Sequence, residues 1–268
     1  MKIILIILSL CTFLFYSCKD EDIMNNPNLA STQASQDNLY AEKIFTDVGY
    51  IIKQGMEDNS KWKSCPNYNL INANDTDIDT LTINFGNTNC LSNGQLRRGI
   101  INVTFTGKYN DSLSIITSSF DNYYVNDYKV EGEIIVKNIG KNNEGNMCFD
   151  INIRNASVYT KNGTINWQSL RNKEITNGQS TLTLSDDRYK ITGSSSGNGV
   201  NGNSFNVTIT EALNIDLSCL PSCIIKSGNA VVFADNYSER FIEYGDSLCD
   251  CNANIIIDGK VYPVIIGN

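Results

Sequence analysis

The sequence predicts a mainly β protein, a large antiparallel β-meander with one N-terminal amphipathic helix packed on it. The sheet is expected as a curved sheet, a partly closed barrel or a sandwich. Three observations carry this. Usage is heavy in Asn, Ile, Ser, Thr and Tyr and light in Ala and Leu, which favours pleated surfaces over helices. From about residue 68 the apolar period is two residues, not 3.6. Turn signals such as Lys161-Asn162-Gly163, Asn177-Gly178 and Asp258-Gly259 punctuate the alternating runs, and such short joints force neighbouring strands to run antiparallel. With 268 residues, 41% of them hydrophobic and 19% charged, the chain is neither a disordered tail nor a coiled coil.

Taken in order, Met1-Lys2 and the uncharged run Ile3 to Tyr16 form a signal peptide over residues 1–17. The run is too short for a transmembrane helix, which needs about 20 residues. Ser17-Cys18 then places a small residue before a cysteine, which resembles the lipobox of bacterial lipoproteins. That resemblance implies cleavage after Ser17, diacylglycerol on the Cys18 sulfur and acylation (palmitate or similar) of the new amine. Lys19-Asp20-Glu21-Asp22 follows at once, and resembles the surface-export signal of Bacteroidota lipoproteins. It implies an outer-membrane anchor facing the cell exterior, with a periplasm-facing anchor as the alternative. The likeness covers the first 22 or so residues. Two or three acyl chains hold firmly, because each buried CH₂ contributes about 0.8 kcal/mol.

Residues 18–36 read as the lipidated cysteine and a flexible polar tether. Residues 37–268 read as a single β-rich domain. It opens with a helix over 38–57, in which Ala41, Ile44, Phe45, Val48, Ile51, Ile52 and Met56 share one face and Asp37 is the N-cap. Alternating runs then predict strands at 80–85, 99–106, 112–117, 130–136, 148–153, 156–159, 163–167, 180–184, 189–192, 204–210, 230–233 and 253–258.

Setting aside Cys11 and Cys18, seven cysteines belong to the body. In an exported protein they default to disulfides. Cys65 and Cys90 bracket a strand-rich segment, and Cys219, Cys223, Cys249 and Cys251 form a second group able to pair among themselves. A Cys₄ zinc site from those four is the alternative, but Cys-x-Cys is a poor zinc knuckle. Cys148, inside an expected strand, is left over as a small buried hydrophobe.

Several function classes fall away. The chain has no histidine, which removes Ser-His-Asp and Cys-His catalysis, HExxH zinc sites and imidazole switches. A formal charge of −8 repels phosphate backbones, so nucleic acid is no expected partner. Gly197-x-Gly199-x-x-Gly202 spells a dinucleotide fingerprint, but a strand follows it instead of a helix, so it reads as a hairpin loop. Asp75-x-Asp77-x-Asp79 lacks the turn glycine and twelfth-position glutamate of an EF-hand. No pair among the many carboxylates stands out as a glycosidase couple. The densest aromatic stretch runs from Phe120 to Tyr128. Its Tyr123, Tyr124 and Tyr128 are candidates for ligand contact, set against the plainer reading that the rings pack in the core.

The resulting expectation is a lipid-anchored, non-catalytic binding or scaffold protein without cofactor or metal. It meets the membrane through its acyl chains, and its partner is a glycan, an apolar ligand or a surface protein. One alternative is a carrier that encloses an apolar ligand in a half-barrel cavity of several hundred Å³. Glycan binding through exposed tyrosines is the other.

Overall fold

The structure is a computed structural model that describes residues 31–57, 65–71, 78–181 and 183–266. The signal peptide, Cys18 and the acidic signal Lys19 to Asp22 lie outside the described residues, as do Asp75 and Asp77.

One helix precedes fourteen strands. These are α1 (Gln33–Glu57), β1 (Asn67–Ile71), β2 (Asp79–Asn84), β3 (Cys90–Ser92), β4 (Gln95–Phe105), β5 (Ile115–Val125), β6 (Tyr128–Lys141) and β7 (Met147–Thr160). The path continues through β8 (Gly163–Asn177), β9 (Arg188–Asn198), β10 (Ser204–Asp216), β11 (Ile225–Ala234), β12 (Arg240–Glu243), β13 (Asn252–Ile257) and β14 (Lys260–Ile265). All belong to one antiparallel sheet in the order β1-β2-β4-β5 and on to β14, with β3 a short flap on β4. The sheet does not close, since β1 and β14 are its free edges. The mainly β meander expected from the sequence is therefore correct, in its curved, open form.

Curvature is built into the strands by bulges. The β4–β5 register slips between Arg98 and Ile100, and the β6–β7 register between Glu131 and Glu133. Gly99 and Gly132 sit in those slips with φ of +91° and +131°. A Cβ on Gly99 would lie 2.0 Å from the Asn122 carbonyl oxygen, and one on Gly132 would lie 2.7 Å from the Ala156 Cα. Only glycine permits both the backbone angle and the close approach, and each bulge bends the sheet further toward the helix.

The bend wraps α1. None of its 25 residues is exposed. Leu39, Ala41, Ile44, Phe45, Val48, Ile51 and Ile52 pack against inward residues of the strands, including Leu81, Ile83, Ile101, Val103, Val207 and Val232. Phe45 stacks on Trp167, with ring centroids 5.4 Å apart, and meets Phe120 edge-on. So deep a burial requires the charged residues of the helix to find partners, and Asp37, Glu42, Asp47 and Lys53 find them on elements far apart in sequence.

Two local expectations change. The helix begins at Gln33, so residues 33–36 belong to it and not to the tether, and Asp37 lies within it instead of capping it. The Asp37 carboxylate is buried; it accepts from Gln33 Nε2 at 2.9 Å and from the Val200 backbone N–H at 2.9 Å, which pins the β9–β10 loop. The segment expected as a strand at 180–184 is instead a loop entering a 3-10 turn at Leu184–Asp186, as far as it is described. The glycine-rich Gly197 to Gly202 segment ends β9 and turns toward β10, a hairpin as expected.

Candidate functional site

Strand β8 supplies the candidate side chains. Its inward face reads Ile165, Trp167, Ser169, Arg171, Lys173 and Ile175, all buried. Period-two alternation forces the three polar residues inside along with the apolar ones. Arg171 donates from Nε to Glu42 Oε1 of α1 at 3.2 Å and from Nη2 to Glu42 Oε2. Above this pair, Asn38 Oδ1 accepts from Trp167 Nε1 at 3.0 Å and from Ser195 Oγ at 2.8 Å. At the far end of α1, Lys53 pairs with buried Asp187. Lys173 has no ion pair among the described residues. Its ammonium lies 4.2 Å from the centre of the Tyr189 ring and 3.4 Å from Tyr109 Oη. Burial pushes its pKa down to about 8, against the opposing pull of Asp187 and Glu57.

Besides a cleft of about 20 Å³ at Gln33, Ala34 and Asp37, two larger clefts touch the helix. One, of about 50 Å³, lies between α1 at Gly49 and the strands carrying Ile134, Ile151, Ser169, Arg171 and Lys173. The other, of about 90 Å³, lies at the seam where the two arms of the sheet approach each other over α1. Tyr40, Lys43 and Asp47 form its floor, Asn93 and Gln95 one wall, and Ile224 and Cys251 the other. The β3–β4 turn meets the opposite arm here, since a Cβ on Gly94 would lie 3.1 Å from Pro221 Cβ. Lys43 donates to the Ile266 carbonyl at 3.2 Å, while Asp47 receives Arg97. Asn93 Nδ2 is buried there with no protein partner. A half-barrel carrier with the helix as its lid would need a cavity of several hundred Å³ between helix and sheet; the two larger clefts against α1 are of about 50 and 90 Å³.

The cysteines of the body pair as Cys65–Cys90, Cys219–Cys249 and Cys223–Cys251, leaving Cys148 free and buried. With all four C-terminal sulfurs in disulfides, the Cys₄ zinc alternative has no thiolates to offer. The aromatic candidates separate. Tyr123 is fully buried and its hydroxyl accepts from Arg97 Nη1 at 2.7 Å, so its ring is a core ring and not a ligand platform. Tyr124 lies under Arg98, whose guanidinium carbon is 3.8 Å from the ring centre, and Tyr128 meets Tyr40 edge-on at 5.7 Å. They follow from β5 running on to Val125, a two-residue turn at Asn126-Asp127 with positive φ at both, and β6 starting at Tyr128. The three tyrosines therefore do not form one exposed face.

The residues that sequence reasoning missed are Ser169, Arg171 and Lys173. Their signal was the phase of the Ile165–Trp167 alternation, continued past Trp167 into residues whose types read as surface. No family model, curated protein or solved structure matches the chain.

Proposed function

We propose that this is an outer-membrane lipoprotein, anchored through Cys18 and displayed toward the cell exterior, that acts as a non-catalytic binding or scaffold module. The observation that carries it is Ser17-Cys18 at the end of an uncharged apolar run, followed at once by Lys19-Asp20-Glu21-Asp22. Three disulfides support an oxidising compartment, outside the cytosol. The binding role without catalysis is supported by how the charged residues inside are used. Glu42, Asp47 and Asp187 are each held by a cation, so the interior fixes the helix in place. Contacts with a surface partner then fall on the seam cleft and the outer face of the sheet, since α1 occupies the concave side.

Detergent phase partition and palmitate labelling of the wild type and Cys18→Ala test the anchor. The expected result is label and detergent-phase recovery for the wild type alone. Unlabelled wild type, or a Cys18→Ala chain that is processed and partitions as before, removes the reading. Protease added to intact cells separates the two orientations: digestion supports outward display, and full protection places the domain toward the periplasm.

A further inference from the structure

We propose that the cavity beneath Gly49 is a binding site for a small carboxylate, held at its head by Arg171 and Ser169 and at its tail by Ile134, Ile151 and Ile153. This goes beyond the anchor reading and does not depend on it. The gap is local. A Cβ on Gly49 would meet no atom within 4 Å, whereas one on Gly55, farther along the same helix, would lie 2.6 Å from the Tyr68 ring. Ile151 points inward between buried Phe149 and Ile153, yet its side chain is only partly covered, because the space above it is open.

The polar groups around the gap are donors in excess. Arg171 is 5% exposed and spends Nε and Nη2 on Glu42, while its Nη1 is buried with no partner. Ser169, the previous inward residue of β8, is 3% exposed and its hydroxyl oxygen also has no partner. Lys173, the next inward residue, lacks an ion pair among the described residues and rests on the Tyr189 ring. Glu42 is committed to Arg171, and Asp187 and Glu57 act on Lys173 only from beyond ion-pair distance, so no carboxylate reaches Arg171 Nη1 or the Ser169 hydroxyl. A bound carboxylate serves both: one oxygen for Arg171 Nη1, the other for the Ser169 hydroxyl, and a charge facing Lys173.

The walls and the size narrow the class. Isoleucine side chains suit an alkyl tail and give a purely inorganic anion nothing to pack on. A cavity of about 50 Å³ exceeds the roughly 10–15 Å³ one water needs and falls well short of the roughly 150 Å³ that admits benzene, which leaves an acid of two or three carbons. Thr46 and Gly49, the helix residues over the cavity, are partly exposed, so it communicates with solvent.

The test is ligand-observed saturation-transfer NMR, with melting curves, on the full chain in detergent. Acetate and propionate are titrated beside acetamide and propionamide, which share the shape and lack the charge. Saturable carboxylate binding is expected in the millimolar range natural to so few atoms, with the amides at least tenfold weaker. Gly49→Leu fills the gap without touching a charge. It is expected to reduce carboxylate binding more than tenfold while still melting cooperatively. Should Gly49→Leu not fold, Gly49→Ala decides by the same measure, with a weakening of about threefold as the Cβ takes part of the space. No saturable binding by the wild type up to about 50 mM overturns the proposal. So does equal binding of the amides, or binding that the filled cavity leaves unchanged; a cavity holding only water gives the first result.

Discussion

Lys173 shows how a single buried charge sets a measurable dependence on pH. Its folded pKa of about 8 lies below the ordinary value of 10.5 because burial penalises the ammonium. Below pH 8 both folded and unfolded chains carry the proton, and the folded state bears the whole cost. Between 8 and 10.5 the unfolded chain binds more protons, so stability rises with pH. Tyr109 and Tyr123 act in the opposite sense: burial raises each from 10.0 to about 12, so above pH 10 the unfolded chain ionises first and stability falls. Urea unfolding from pH 7 to 11 should therefore show a rise that begins near pH 8 and a decline once the unfolded tyrosines ionise near pH 10. Lys173→Met should remove the rise and leave stability at pH 7 equal or higher. A flat wild-type profile between pH 8 and 10 contradicts the assignment. Gly49 gives a second residue-level expectation. It is a helix-interior glycine with open space at its Cβ, so Gly49→Ala should stabilise by up to about 1 kcal/mol, read as a higher urea midpoint with unchanged slope.

At the scale of the element, α1 is positioned by ion pairs as much as by its apolar residues. Glu42 meets Arg171 of β8, Asp47 meets Arg97 of β4, and Lys53 meets Asp187 before β9. Breaking a buried pair strands the surviving charge. Glu42→Leu should cost about 3–5 kcal/mol, whereas Glu42→Leu combined with Arg171→Met should recover most of it, because no buried charge is left unpaired. Chemical denaturation of both single variants and the double variant measures this, and simple additivity of the singles would contradict it. These pairs mark the border of what the sequence makes legible. The apolar face of α1 is readable from Ala41 to Ile52 because its spacing is helical. The burial of the polar residues beside it is not, since Asp37, Asn38 and Glu42 look solvated until a sheet curls round them. Likewise most inner strands are readable from alternation, but β1, β3, β12 and β14 escape notice, being short or at an edge. The 180–184 run alternates like a strand yet pairs with none among its described residues, because the chain there turns toward Asp187. The cysteines divide as their positions suggest, but which of Cys219 and Cys223 meets Cys249 depends on the three-dimensional path alone.

At the scale of the whole molecule, an open sheet this long needs something to bend around. Flat sheets of many strands are unusual, and the inward faces from β2 to β13 present isoleucine, valine and phenylalanine that no second sheet covers. The helix supplies the missing layer, and its ties reach both arms: Arg97 of β4 holds Asp47, while Arg240 of β12 donates to the Ser31 carbonyl at 2.8 Å just before the helix. The disulfides cannot replace it. Cys65–Cys90 fastens the first arm, and Cys219–Cys249 and Cys223–Cys251 fasten loops of the last, so none spans the two. Deleting residues 31–57 should therefore leave a chain that keeps its local disulfides and some strand content but has no cooperative unfolding transition and binds a hydrophobic dye. Supplying the helix as a separate peptide should restore cooperativity and quench the dye, because the groove it fills is specified by Arg97, Arg171 and Asp187 as well as by size. A deletion variant that still unfolds in one sharp step would mean that the sheet holds its curvature through bulges such as those at Gly99 and Gly132. The helix would then be a passenger in the fold and not its core.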